Sequence, residues 1–153
     1  MHEKEINGRI WTIPASRRGK TETEHTVFLT DTALAVIADA KAELARLGER
    51  RKTEPTGHIF EAKPGAPITN AALGRAVARF SDELGSKDNP RGGRWRPHDL
   101  RRTMRTGLSA CRVRPDIAEL VIGHTKKGIV ATYDRHAFDA ERQAALEAWG
   151  ERL

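Results

Sequence analysis

A chain of 153 residues is long enough to bury a real hydrophobic core and short enough to be one domain. Apolar residues make up 38% and charged residues 31%, the balance of a soluble protein, and the longest apolar run, Ala33–Ala38, is far too short to cross a bilayer. The opening Met-His-Glu-Lys-Glu lacks the apolar stretch of a signal peptide, while a single cysteine, Cys111, excludes an internal disulfide and suits a reducing cytoplasm.

Basic residues outnumber acidic ones by 27 to 21, giving a net charge of +6 and an isoelectric point near 9.9. The distribution is more informative than the total. Arg91, Arg94, Arg96, Arg101, Arg102, Arg105, Arg112 and Arg114 crowd one stretch whose only acidic member is Asp99. Arginine is favoured where phosphate oxygens are met by a planar fork of donors, so this stretch is expected to contact nucleic acid.

No internal repeat or low-complexity tract is evident. Residues 9–15 and 25–29 are rich in β-branched and aromatic side chains and predict an antiparallel hairpin, with the charged span 16–24 as its loop. From Thr30 the period changes to that of a helix, with Leu34, Ile37, Leu44 and Leu47 on one stripe and Gly48 as the stop. Residues 50–57 form a polar linker, and His58–Phe60 is expected as a short extra strand. Thr69 or Asn70 caps a second helix that buries Leu73, Ala76, Val77, Phe80 and Leu84 and ends at Gly85; residues 86–93 form a loop. A third helix starts near His98, behind Pro97, with Leu100, Met104, Leu108 and Cys111 pointing inward. The fourth starts at Pro115, a favoured first helical residue, buries Ile117, Leu120 and Val121 and stops near Gly123. A short fifth helix carries Tyr133, and a sixth runs from about Asp139 with Phe138, Ala145, Leu146, Trp149 and Leu153 on one face. The expected class is mainly α with a small antiparallel β-hairpin: hairpin about 9–29, helical core about 31–136, C-terminal helix about 139–153.

Three separate elements hold reactive side chains. Pro97-His98-Asp99-Leu100-Arg101-Arg102-Thr103 places His98 and Arg101 three apart, on one side of a helix start. Ile122-Gly123-His124 follows, and Tyr133, the only tyrosine, lies nine residues beyond His124. Two imidazoles, a guanidinium and a phenol suit attack on a phosphodiester by a protein nucleophile. Neither His98 nor His124 has an acidic or cysteine residue at metal-ligand spacing, so a zinc site is not expected.

The order His-x-x-Arg, Gly-His and Tyr resembles the catalytic core of the tyrosine recombinases, or phage-type integrases. The runs Ala131-Thr-Tyr-Asp-Arg-His136 and Glu141–Trp149, with Trp11–Pro14 and Val27–Thr30 upstream, extend the resemblance over nearly the whole chain. It implies the fold of a DNA breaking-rejoining catalytic domain and site-specific recombination of a phage or mobile element. It also implies how the work is divided. Tyr133 would attack phosphorus and leave a 3′-phosphotyrosyl link, conserving the bond energy so that no cofactor is needed. Arg101 and His124 would stabilise the charge on the phosphate oxygens, and His98 would accept the phenol proton. Lys20, in the hairpin loop, would protonate the departing 5′-oxygen. Arg94, Arg96, Arg102 and Arg105 would face DNA. The implied partners are double-stranded attachment sites and further copies of the chain assembled on them, with no membrane and no small-molecule substrate. The setting would be a bacterial or phage-encoded protein of the cytoplasm, associated with the nucleoid.

One family feature has no match. The first catalytic arginine belongs to a Gly-x-Arg-x-x-Glu-like helix before the hairpin, and nothing among the eight residues ahead of Arg9 resembles it. The expectation is an N-terminally truncated catalytic domain, nearly inactive alone. A non-catalytic DNA-binding or regulatory remnant is the alternative, and type IB topoisomerases share the nucleophile chemistry.

Overall fold

Alternating apolar side chains near the start of the chain do form strands. In the computed structural model, which describes residues 1–19, 23–54, 56–63, 65–81, 83, 95–125 and 136–153, β1 (Ile6–Asn7), β2 (Ile10–Ile13) and β3 (His25–Phe28) make an antiparallel sheet in that order. The register pairs Ile6 with Trp11, Trp11 with Val27 and Ile13 with His25. The expected hairpin is therefore the major part of a three-stranded sheet. Its extra strand arises because the chain reverses at Gly8, whose φ of 56° a residue without Cβ adopts readily.

Helix α1 (Asp31–Arg51) begins where the Thr30 hydroxyl accepts from the Ala33 N–H at 3.3 Å. Its stripe lies against the sheet. Ile37 joins Leu29 and Ile59 in a core, with Ile6, Trp11, Ala33 and Leu34 packed around them. Gly48 does not stop this helix. Glycine weakens a helix interior by only about 1 kcal/mol, and the chain turns four residues later, at Lys52 in the left-handed region (φ 54°), where Thr53 N–H reaches Gly48 O at 3.0 Å. The extra strand also shifts: His58 makes only an isolated bridge to His2, and the hairpin proper is β4 (Glu61–Lys63) with β5 (Ala66–Pro67). Ile59 is 1% exposed because its side chain enters the α1 core instead.

Helix α2 (Asn70–Arg79) is capped by Thr69, as expected, and ends sooner than Gly85. Its half-buried side chains are Ala72, Ala76, Val77 and Ala78, and it packs against α3. Leu73 and Phe80, expected inside, are 38% and 46% exposed. Phe80 is the C-cap rather than part of the stripe, because the helix has already ended.

The remaining described helices, α3 (Pro97–Ala110), α4 (Pro115–Val121) and α5 (Asp139–Gly150), enclose a second core of Leu108, Ile117, Ala118, Val121 and Ala145. Proline stands in the first turn of both α3 and α4, where a missing N–H costs nothing. Leu100 is 70% exposed rather than inward-facing: the core meets α3 from Met104 onward, one turn later. Trp149 lies against Gly107, where an added Cβ would sit 1.9 Å from its ring. The C-terminal helix is thereby covered by its own chain. Helix α5 also touches β3 and α1, with Gly150 against Thr30, so it bridges the two cores. The short helix expected around Tyr133, Leu84–Gly85 and the loop 86–93 lie outside the described residues.

Candidate active site

The turn Ile122-Gly123-His124 is the meeting point. Helix α4 closes in a Schellman motif: Gly123 N–H donates to Leu120 O at 2.9 Å and His124 N–H to Glu119 O at 2.9 Å. The motif needs a left-handed residue, and Gly123 supplies φ 81°. His124 is thus placed by backbone geometry at a helix end, with a side chain 56% exposed. Its Nδ1 lies 2.5 Å from Glu119 Oε2.

The sheet reaches the same turn from the other side. Arg18 donates through Nη2 to Gly123 O at 2.7 Å and through Nη1 to Thr23 O at 2.8 Å and Glu24 O at 3.2 Å. One guanidinium therefore ties the hairpin loop to the His124 turn. The His25 ring lies over Gly123, with Nε2 3.4 Å from where a Cβ would stand. Arg142 on α5 donates to Thr26 O and, at 3.0 Å, to Asp139. Burial, followed by the charges of Arg142, Arg18 and Arg101, pushes the His25 imidazole down to about 4, against a hydrogen bond with the Val121 backbone that acts the other way. His25 is consequently neutral near pH 7, in a ring of guanidinium groups.

Arg101 belongs to that ring. It is half-buried on α3, its charge reaches the His25 ring, and it makes no hydrogen bond or ion pair with another described residue. His98 stands exposed one turn earlier on the same helix. The structure thus sets the charge of Arg101 near the His25 ring that lies over Gly123, next in the chain to His124, and leaves His98 at the N-terminal end of α3. The side chains of Arg102 and Arg105 have local partners, whereas Arg96 bonds through its backbone. Arg102 bonds Asp99 at 2.9 Å, Arg105 bonds Glu119 and Ser109 at 2.7 Å each, and Arg96 offers its backbone N–H to Asp99 at 2.9 Å. Lys20, Arg94 and Tyr133 lie outside the described residues.

Sequence reasoning passed over His25, Arg18, Arg142 and Glu119 as members of this site. Glu119 had a readable signal, because a Schellman end folds the residue after Gly back onto the one five earlier. Arg18 and His25 meet the turn through tertiary contacts that no spacing shows, and Arg142 bonds the strand beside them. Among the described residues no group of three or more His, Cys, Asp or Glu is placed to hold a metal ion, and no helix is long and apolar enough to cross a membrane.

Comparison with known proteins returned no match among curated proteins and none among solved structures. A family model, described as the Phage integrase family, matches residues 1–140. That span takes in the sheet, the His-x-x-Arg helix and the Gly-His turn, and with it the chain belongs to the phage integrase family, a class of tyrosine recombinases acting in site-specific DNA recombination.

Proposed function

We propose that residues 1–153 are one domain, the C-terminal catalytic portion of an integrase that joins or excises a phage or mobile element at duplex attachment sites. The observation that supports this reading is Arg101: a half-buried guanidinium, without a partner among the described residues, whose charge reaches the His25 ring that lies over Gly123, the residue before His124. A charge held in place beside a second donor is what a dianionic, five-coordinate phosphorus requires.

In the proposed reaction the Tyr133 oxygen bonds to phosphorus as the bond to the 5′-oxygen breaks. The phenol proton passes to His98, since a phenol of pKa about 10 is mostly protonated at neutral pH. Arg101 bonds the two non-bridging oxygens through parallel N–H groups, and His124 donates a further hydrogen bond to them. Lys20 gives its proton to the departing oxygen. Reversal of these steps with a different 5′-hydroxyl completes strand exchange, and copies of the chain assembled on DNA bring the second strand. Family catalysis uses a further arginine, and the residues before Arg9 hold no match for its segment. The 153-residue chain tested alone is therefore expected to react a hundredfold or more slowly, the usual effect of losing one charge-stabilising donor.

Binding tests the reading without needing turnover. Titrated with unrelated duplexes at two salt concentrations, the chain should bind weakly and with steep salt dependence, and Arg101→Ala should reduce affinity at low salt. Affinity indifferent to salt, or none at low salt, counts against a DNA-facing surface.

A further inference from the structure

Glu119 touches His124 twice. Its carbonyl accepts from the His124 backbone N–H at 2.9 Å, and its carboxylate Oε2 lies 2.5 Å from Nδ1. The double hold follows from the Schellman end, which fixes where the imidazole begins before any side-chain bond forms. The carboxylate is itself held: Oε1 accepts from Arg105 Nε at 2.7 Å, and Arg105 Nη1 donates to Ser109 Oγ at 2.7 Å on α3. Arg105, and then His124, keep the Glu119 carboxyl below the usual carboxylate range, so it is ionised near neutral pH.

An ionised carboxylate can only accept hydrogen bonds, so Nδ1 must carry the hydrogen between them. The bond decides what the opposite ring nitrogen can do. We propose that Glu119 is a positioning residue for the recombination chemistry: it holds the His124 ring by Nδ1 and leaves Nε2 as the atom presented to the phosphate, while Arg105 steers the carboxylate. The inference takes its ligand from the recombinase reading, but the bond itself does not depend on that reading. When negative charge builds on the phosphate, a proton taken from water by the exposed ring at Nε2 makes it a donor, and the carboxylate behind it balances the resulting imidazolium. Arg105 then acts through Glu119 rather than on DNA.

Long-range proton–nitrogen NMR spectra of the 153-residue chain test this, recorded where the His124 ring holds a single proton. The wild-type chain should show the protonated-nitrogen signature at Nδ1 and the bare one at Nε2. In Glu119→Ala the proton should redistribute toward Nε2. Glu119→Gln should restore the wild-type pattern, because an amide oxygen accepts the same bond; a merely structural role predicts that Ala and Gln behave alike. A wild-type ring with its proton on Nε2, or an unchanged ring in Glu119→Ala, overturns the proposal. Should Glu119→Ala not fold, Arg105→Ala serves instead: mixed tautomer signals support the steering role and an unmixed spectrum refutes it. Adding duplex DNA at low salt separates the two readings. If Glu119 controls the tautomer but DNA leaves Nε2 unmoved, the Glu119 bond stands and the phosphate-site assignment fails.

Discussion

Around α3, α4 and α5 the central side chains are fully enclosed, with Leu108 and Ala118 at 0% exposure and Ile117 at 2%. Around α2 and the β4–β5 hairpin, apolar side chains of similar size stand half in water: Phe80 at 46%, Ile68 at 44% and Leu73 and Phe60 at 38%. Enclosure follows the residues proposed to do chemistry. Arg101 stands on α3 one turn before that helix enters the enclosed core, and His124 follows the end of α4, whose Ile117, Ala118 and Val121 belong to it. A donor useful to a transition state has to be held to within about half an ångström, which a close-packed helix end provides. The α2 region carries none of the proposed catalytic residues and has no such demand on it.

The contrast can be broken at its strongest point. Leu108→Ala is expected to cost about 3 kcal/mol, since it opens a cavity where nothing can relax, whereas Phe80→Ala should cost under about 1 kcal/mol. Urea unfolding of both variants measures the difference; equal losses would mean that α2 is packed as tightly as α3. Gly107→Ala comes next, at roughly 2 kcal/mol, because its Cβ would stand 1.9 Å from the Trp149 ring. In a Trp149→Ala background the same change should cost almost nothing, and a double-mutant cycle reads the coupling. Deleting residues 139–153 should likewise lower the melting temperature and leave the chain monomeric by sedimentation.

Smaller effects sit on the seam between the two cores. Arg18→Ala removes the bond to Gly123 and should cost about 1 kcal/mol, the scale of a charge-assisted bond at a partly exposed site. His25 adds a pH dependence. Its folded value is about 4 against an ordinary 6.5, so the unfolded chain binds a proton that the folded chain refuses. Stability is therefore unaffected above about pH 6.5 and falls as pH drops toward 4. For an enclosed ring that difference would be about 3.4 kcal/mol, but His25 is half exposed, and solvent screening reduces it to about 1 kcal/mol. Replacing His25 with Asn should flatten the melting temperature across that window.

Much of this arrangement was legible in the sequence because local rules produced it. The helix starts read from Thr30 or Asp31 and from Thr69 or Asn70 are capped by the two threonines, the prolines at 97 and 115 open their helices, and Gly123 ends α4 with His124 just beyond. Gly48 misled because a helix stops where three-dimensional packing lets a residue turn left-handed, and Lys52 does so at the cost of some strain. Periodicity placed Leu100 and Leu73 on apolar stripes, but a stripe shows that a helix has a preferred face, not how far along it the cover extends. Arg18, Arg142 and His25 were invisible as a group. Arg18 and Arg142 stand 105 and 116 residues from the carbonyls they bond, and only the folded chain brings them together.

The central claim is that Arg101 and His124 serve one phosphate. The most direct measurement follows the arginine Nε and histidine ring signals of the whole chain as duplex DNA is added at low salt. The account predicts that Arg101 and His124 shift together and saturate at the same DNA concentration, with His98 beside them, while Arg50, Arg51 and Arg79 on α1 and α2 move little. Shifts concentrated on α1 and α2, or Arg101 and His124 responding at different concentrations, would contradict it.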